Sequence, residues 1–410
     1  MPTNSSTAFG QLRYIQESTF NSTPVAGNGS NLRMIDPKFK VAIPTQTSQE
    51  IRSDRMSTGL TQVDMNVDGG FDFELSGKEY DTFLEASLLS SFAHYGTLGI
   101  GTTFSATTTS STITAAVAPT TTSAFTNLAV GSWIKIIPPA GATTAVKAYF
   151  ADKWFKLHAV TAPTSTVITL DASTPIVAPG IVTAIAGYAI SQSVMQNASA
   201  GKSFTFEYAL SDVSQFLAYT GCRVDGFDLS LDVGSLIKGS FNIMGAGHTI
   251  NAATTLPGSP VASNTLDVMN AVTDLGQVFE GSNNLLTNGS FVHSAKLSVK
   301  NGLRAQKAIG VFGTAGFGYG ELAITGTLDV YFQDATYYSK WLANTSTSIS
   351  LGLSDQYGNG YLFEMEKVQF KDGALNTSGR TNDVMLSLPF QAFVNPATGR
   401  GIRITRSVAA

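Results

Sequence analysis

The chain has 410 residues, which is enough for two or three domains with a substantial core. Only 13% of the residues are charged, and a formal net charge of −4 excludes an extended basic surface for nucleic acid. The single cysteine, Cys222, excludes an intramolecular disulfide, and no run of about 18 apolar residues predicts a membrane span.

The first segment, residues 1–32, is rich in Ser, Thr, Asn and Gly. It has neither the basic start nor the apolar stretch of a secretory signal. This composition predicts a flexible arm that becomes ordered only on a partner. Leu12, Tyr14 and Ile15 are its apolar anchors.

Residues 33–101 read as the start of a first β-rich module. Apolar residues alternate on both sides of Gly69 and Gly70, which predicts two strands interrupted by a glycine turn or bulge. Ser76 and Glu79 have the spacing of a capping box, so a helix should begin there. A helical stripe should then pack on the sheet; its members are Tyr80, Phe83, Leu84, Leu88 and Phe92.

Residues 102–190 break this pattern with a composition of Thr, Ala, Ser and Pro. Short apolar bursts at 133–137, 154–157 and 166–171 predict the strands of a small separate β domain. We interpret the segment as an insertion into the first module, on the exterior of the assembly. The module resumes over 191–245, with strands from Phe204 and a short helical turn around Phe216, which Gly221 ends.

Residues 246–287 show little periodicity and predict a long connecting loop, which includes Leu266, Val268 and Met269. A second module is predicted over 288–410, with further alternating strands and a strong turn at 355–359.

The two modules repeat one ground plan. Val41 precedes Gly70 by the same 29 positions that separate Leu297 from Gly326. Each glycine is followed by a Tyr with a second aromatic residue three positions later, and then by a Leu: Tyr80, Phe83 and Leu84 in the first copy, Tyr338, Trp341 and Leu342 in the second. One repetition suggests a fused pseudo-dimer more than a solenoid. The predicted fold is mainly β: a duplicated β-sandwich or barrel module with flanking helices, plus the inserted small β domain.

No chemistry-bearing motif stands out. Gly201-Lys202-Ser203 resembles the end of a phosphate-binding loop, but the first glycine of that motif is missing and a strand pattern follows. The four histidines are scattered without metal-ligand spacing, and no nucleophile elbow occurs. We therefore predict no enzyme activity, no cofactor and no metal site.

Several stretches read together resemble bacteriophage tail tube proteins, the major tail proteins of long-tailed, siphovirus-like phages. Their order and spacing carry the resemblance, which covers most of the chain outside the arm and the insertion. The stretches are 70–84, 203–208, 219–224, 239–241, 301–304, 326–342, 355–359, 384–392 and 395–396.

The resemblance implies two packed β-sheets with a flanking helix, in subunits that stack as rings around a lumen. It implies a virion protein of the tail, assembled in the host cytoplasm, which conducts DNA during ejection without reading its sequence. Its partners would be copies of itself, the tape measure protein and the tail terminator and tip proteins. We expect the arm and the connecting loop to lock adjacent rings through Leu12, Tyr14, Ile15, Leu266, Val268 and Met269.

Two questions stay open at this point. Two modules per chain favour a trimeric ring with pseudo-sixfold symmetry, but six chains per ring are an alternative. The composition also fits a capsid decoration or fibre protein, or a carbohydrate-active or adhesive β-sandwich, although the latter would need exposed aromatics beside paired carboxylates.

Overall fold

The computed structural model describes residues 5–100, 112–114, 125–128, 130–176, 188–287, 291–377 and 383–408. Within these ranges the protein is mainly β, as predicted, with long antiparallel strands and three short α-helices. The strands follow the period-2 pattern, because alternate residues are buried along them, for example at Phe241 and Ile243.

The elements fall into two halves. Those of the first half are β1 (Gly10–Gln16), β2 (Ser30–Asn31), β3 (Asp36–Pro37), β4 (Lys40–Ala42), β5 (Thr45–Thr47), β6 (Leu60–Gln62), β7 (Asn66–Glu74), α1 (Asp81–Ser87), β8 (Ala93–Ile100), β9 (Thr112–Thr114), β10 (Trp133–Ile137), α2 (Thr144–Ala151), β11 (Trp154–Lys156), β12 (Val167–Thr169), β13 (Tyr188–Gln196), β14 (Phe204–Leu210), β15 (Gln215–Asp232), β16 (Lys238–Gly245) and β17 (Gly247–Asn251). Those of the second half are β18 (Leu275–Glu280), β19 (Asn283–Asn284), β20 (Val292–Lys300), β21 (Arg304–Gln306), β22 (Gly316–Gly318), β23 (Ala323–Tyr331), α3 (Thr336–Leu342), β24 (Thr347–Ser354), β25 (Gly360–Phe370), β26 (Ala374–Asn376), β27 (Met385–Ala392) and β28 (Arg403–Ser407). Single 3₁₀ turns occupy Thr7–Phe9 and Phe125–Asn127.

Two large sheets form a sandwich. Sheet I has the order β3/β4–β7–β16–β15–β20–β23–β27–β26. Sheet II has the order β8–β13–β28–β25–β24–β18. The end of β25 also pairs with β27, so the sheets are joined at that corner. A smaller sheet III consists of β2, β1, β14, the first half of β15 and β17.

The two copies share one hydrophobic core. In sheet I the second half of β15, from the first copy, pairs over seven residues with β20 from the second, and Leu229 lies opposite Leu297. Across the sandwich, the ring of Phe227 from the first copy lies 6.0 Å from that of Phe363 from the second. The copies are therefore two halves of a single packed unit.

The order of elements repeats in the two copies. In the first, an edge segment (β3 and β4), a hairpin (β5 and β6), a central strand (β7), a helix (α1) and a further hairpin (β8 and β13) follow one another. In the second the same places are taken by β20, by β21 and β22, by β23, by α3, and by β24 and β25.

The residue register of the repeat differs from the one read from the sequence. Leu297 lies opposite Gly326, but Val41 lies opposite Val67, three residues before Gly70. The structural counterpart of Gly326 is the neighbouring Gly69.

Close packing explains that correspondence. A Cβ at Gly69 would overlap the carbonyl oxygen of Lys38, and a Cβ at Gly326 would overlap that of Lys296. Only glycine lets the two backbones approach at these positions.

The segment predicted as an insertion lies at the tip of the β8–β13 hairpin, where the β24–β25 hairpin has only the turn 355–359. It has a hydrophobic cluster of its own around Phe150 and Ile134. It is also docked on the second copy, because Trp133 and Trp154 pack against Phe279 and Leu362.

Four local predictions differ from the structure. Helix α1 begins at Asp81 with Tyr80 as its N-cap, so Ser76 does not cap it, and the carboxylate of Glu79 accepts instead from the backbone of Arg33 and Asn264. The predicted helical turn around Phe216 is part of the long strand β15, because β14 and β17 provide backbone partners on both sides.

The arm and the connecting loop also contain strands. In the arm, β1 pairs over its whole length with β14. In the segment 246–287, β17 pairs with β15 and β18 pairs with β24. Backbone partners within the same chain therefore order parts of both segments.

Candidate functional site: the polar face and free edges of sheet I

One face of sheet I is polar. The same alternation that sends Phe71, Leu229 and Leu297 into the core sends their neighbours to the opposite side. We call this side the polar face. Its charged members are Asp36, Lys38, Lys40, Asp68, Asp72, Glu74, Asp225, Asp228, Asp232, Lys238, Lys296, Lys300, Asp329, Lys371 and Asp383.

Hydrogen bonds between strands hold the carboxylates of this face in place. Asp228 accepts from Ser298 Oγ at 2.5 Å and from Asn242 Nδ2 at 3.0 Å. Asp329 accepts from Ser294 Oγ at 2.7 Å and from Ser387 Oγ at 2.6 Å. The acidic groups are therefore fixed parts of the sheet surface.

The polar face is weakly acidic. It carries nine acidic side chains and six lysines, hence three net negative charges, and none of its cations is an arginine. Lys38 and Asp72 are 2.6 Å apart and neutralise each other. A surface of this kind offers no cluster of positive charge that would hold a phosphate backbone.

Sheet I has two free edges within the described residues. At one edge, β26 has a partner on one side only, and Leu375 is 39% exposed. At the other edge are β3 and β4, and Ile43, just after β4, is 43% exposed. Unpaired edges of this kind are places where a further strand can add.

The six residues predicted to lock rings lie on one side of the first copy. Leu12 and Met269 are fully buried in the shared core. Tyr14 is partly buried, and its ring lies 4.7 Å from that of Phe83. These three contact their own chain, so in this conformation they are not presented to a neighbour.

The other three lie nearer the surface. Ile15 is half-buried near Gly27, Leu266 accepts from Arg33 Nη1 through its carbonyl at 2.6 Å, and Val268 forms a bridge with Ser76. The structure thus places the arm and the part of the connecting segment around Leu266 on the first copy, and Arg33 binds Asn264 and Leu266 of that segment.

Sequence patterns did not reveal a buried ionic group beneath the inserted domain. Glu364 and Arg403 are both almost fully buried and form an ion pair, and Lys156 of the inserted domain lies 3.1 Å from the same carboxylate. Burial alone would raise the pKa of Glu364, but Arg403 and Lys156 outweigh it and hold the pKa below the ordinary value. Lys156 precedes Glu364 by 208 residues (364 − 156) and Arg403 follows it by 39, so no local sequence pattern links the three groups.

Lys135 of the inserted domain is fully buried at the same interface. Its Nζ donates to Ala151 O at 2.6 Å and to Ser354 Oγ at 2.8 Å. Burial lowers the pKa of Lys135 to about 7, although Asp152 and Asp355 act in the opposite direction.

The described part of the chain contains no group of three or more His, Cys, Asp or Glu residues placed to hold a metal ion. None of its helices is long and apolar enough to cross a membrane.

In the described residues, sheet I thus combines a weakly acidic polar face with two edges that lack a strand partner. A family model described as phage tail tube protein matches residues 8–392, which is nearly the whole chain. The chain belongs to this phage tail tube family, a family of structural proteins of the virion tail. No curated protein matches the sequence.

Proposed function

We propose that this protein assembles into stacked rings that form the phage tail tube, the conduit through which DNA leaves for the host. The observation that carries the proposal is the joint between the two copies inside the chain. It shows how one module continues the sheet of the next.

Inside the chain, β15 of the first copy pairs with β20 of the second, and Asp228 lies opposite Ser298. In the second copy, β26 is the counterpart of this part of β15. Each of them pairs with the strand that lies next to the central strand of its copy: β15 with β16, and β26 with β27. The counterpart of β20 is the β3–β4 edge. Repeating the joint between chains sets Ala374 of one subunit opposite Lys40 of the next.

Burial supports this correspondence. Leu229 in β15 is 3% exposed, whereas Leu375 at the corresponding place in β26 is 39% exposed. Pairing with a neighbour would cover the exposed leucine and close the open edge, as the in-chain joint does for Leu229.

A joint that uses different surfaces on its two sides is heterologous and closes into a ring when its rotation divides a full turn. Three chains supply six modules, so a trimer with pseudo-sixfold symmetry follows if the in-chain and between-chain joints each turn by one sixth of a full turn. Six chains per ring would instead require a joint with half that rotation.

The polar face would line the lumen. Its weakly acidic charge supports passage of DNA without sequence-specific or tight binding, because like charges repel. The inserted domain docks on sheet II, on the other side of the sandwich from the polar face, which favours a position on the tube exterior. The tape measure protein and the terminator and tip proteins would be its partners, as expected for a tail tube.

Cross-linking tests the joint directly. Cys222 is buried, so cysteines introduced at exposed positions should be the reactive ones. The variant with Lys40→Cys and Ala374→Cys should give covalent chains of two and three subunits with a short bismaleimide, and rings should be visible by negative-stain microscopy. Lys40→Cys combined with Val160→Cys, on the inserted domain, is the control that should not cross-link.

A monodisperse monomer at high concentration, or a compact trimer without a lumen, would refute the tube. Either result would return a capsid decoration or fibre protein to first place. Six full-length subunits in a top-view class average would refute the trimer alone.

A further inference from the structure

Helix α3 lacks the cover that its counterpart α1 has. Each helix has seven residues and follows the central strand of its copy. In α1, Phe83, Leu84, Ala86 and Ser87 are buried. In α3 no residue is buried, and Leu342 is 64% exposed.

Part of the cover of α1 comes from the second copy. Asn301, directly after β20, is buried and donates from Nδ2 to the carbonyl oxygen of Ser87 at 2.8 Å. The end of the edge strand of one copy thus rests on the last residue of the helix of the other copy.

The registers identify which residues would repeat this contact between chains. Asp36 lies opposite Asp72 as Ser294 lies opposite Asp329, and continuing that offset puts Ile43 in the place of Asn301. The helix bounds put Leu342 in the place of Ser87, which corrects by three residues the alignment with Leu84 that the aromatic spacing in the sequence suggested.

In each of the two pairs, both residues have the same polarity. Asn301 and Ser87 form a polar contact inside the chain, whereas Ile43 and Leu342 are both apolar and are 43% and 64% exposed. If the same contact forms between subunits, a free subunit leaves both of its halves exposed, one on each side. Ile43 and Leu342 are two exposed apolar side chains at these corresponding places.

Helix α3 is held so that Leu342 faces outward. Lys340 donates to both carboxylate oxygens of the buried Glu280 at 2.7 Å, and Trp341 packs on Gly373. The helix is therefore fixed to its own copy by the residues beside Leu342, and Leu342 is left free for another contact.

We infer that Ile43 of one subunit packs on Leu342 of the next, so that α3 is covered by the first copy of a second chain. This inference rests on the ring proposed above and specifies one contact of its joint. It makes the end of α3 a docking surface for a second copy of this chain.

A charge exchange tests the contact. Ile43→Asp and Leu342→Lys each place a charge opposite an apolar side chain, and each should raise the protein concentration needed for assembly about tenfold. The double variant places the two charges together and should return to within about threefold of the unaltered protein. Val160→Lys, equally remote from the core, should have no effect, and circular dichroism should show that every variant is folded.

Cross-linking gives a second readout. In assembled protein, Ile43→Cys with Leu342→Cys should form a disulfide between subunits, whereas Ile43→Cys with Val160→Cys should not. Two results would overturn the contact. One is unchanged assembly of both single charge variants. The other is failure of the double charge variant to recover assembly, together with no disulfide between subunits in the variant with Ile43→Cys and Leu342→Cys. The proposed tube would survive that result, since it fails only if the unaltered chain forms no rings.

Discussion

Lys135 should make the stability of the subunit depend on pH. This lysine lies at the interface of the inserted domain with the second copy, and burial lowers its pKa from 10.5 to about 7. In the unfolded chain its pKa returns to the ordinary value, so between these limits the unfolded state binds more protons than the folded state. The free energy of unfolding should therefore rise with pH over this window.

The size of the effect follows from the same two values. Each pH unit between the limits contributes up to about 1.4 kcal/mol. From pH 7 to pH 9 the gain should be about 2 kcal/mol, because near pH 7 the folded lysine is itself half protonated.

Lys135→Met should abolish this gain and leave the subunit more stable at pH 7. The substitution leaves no new unpaired partner, because Ser354 Oγ also donates to Ala151 O at 2.9 Å. Urea unfolding at pH 7, 8 and 9 can be followed by tryptophan fluorescence, since two of the three tryptophans, Trp133 and Trp154, lie in this interface. Lys147→Met, on the exposed face of α2, is the matched control and should keep the slope of the unaltered protein.

Equal pH slopes in the Lys135→Met variant and the unaltered protein would refute the reasoning. That result would mean that Lys135 stays protonated in the folded state through its two hydrogen bonds. The groups that titrate elsewhere are common to both proteins, so the difference between the slopes isolates this one lysine.

Three further predictions concern the joints and the inserted domain. Gly326→Ala should lower the free energy of unfolding by about 1–3 kcal/mol, because the new methyl group overlaps the Lys296 carbonyl, whereas Gly141→Ala, in open space, should be neutral in the same denaturation assay. Replacing residues 101–187 by a five-residue turn uncovers Phe279 and Leu362, so the subunits should precipitate. When these two residues are also made polar, the shortened subunits should form rings of smaller outer diameter in microscopy. If residues 253–266 lock rings, their amide hydrogen exchange should slow on polymerisation. Strands β1 and β18 are paired within the chain and should be protected both before and after polymerisation. Equal exchange rates over 253–266 in the two states would contradict a ring-locking role for this segment.

The class of fold was readable from the sequence because alternation is a local signal. Strands such as β16 and β23 appear directly as apolar residues at every second position. The repeat was visible as well, since glycines and aromatics at similar spacing mark its central strand and helix. The residue register of the repeat was not visible in the sequence. An offset of one or two positions depends on which carbonyl oxygen lies against which glycine, and this contact is determined by the paired strand.

Long-range pairing explains the other differences. The arm and the segment 246–287 have compositions typical of loops, yet β14, β15 and β24 offer them backbone partners from 27 or more residues away. Glu79 has the spacing of a capping residue, but two backbone N–H groups from distant segments take its carboxylate. The buried Glu364–Arg403 pair and Lys135 were missed for the same reason, since desolvation is a property of the folded interior.

The β15–β20 joint within the chain and the proposed β26–β4 joint between chains have one geometry but respond differently to dilution. Because β15 and β20 belong to one polypeptide, their association is unimolecular and persists at any protein concentration. A joint between β26 and the β4 edge of another subunit obeys mass action and dissolves as the subunits are diluted. In the proposed ring, duplication within one chain therefore makes every second joint independent of protein concentration, and a ring of six modules needs only three joints between chains to close.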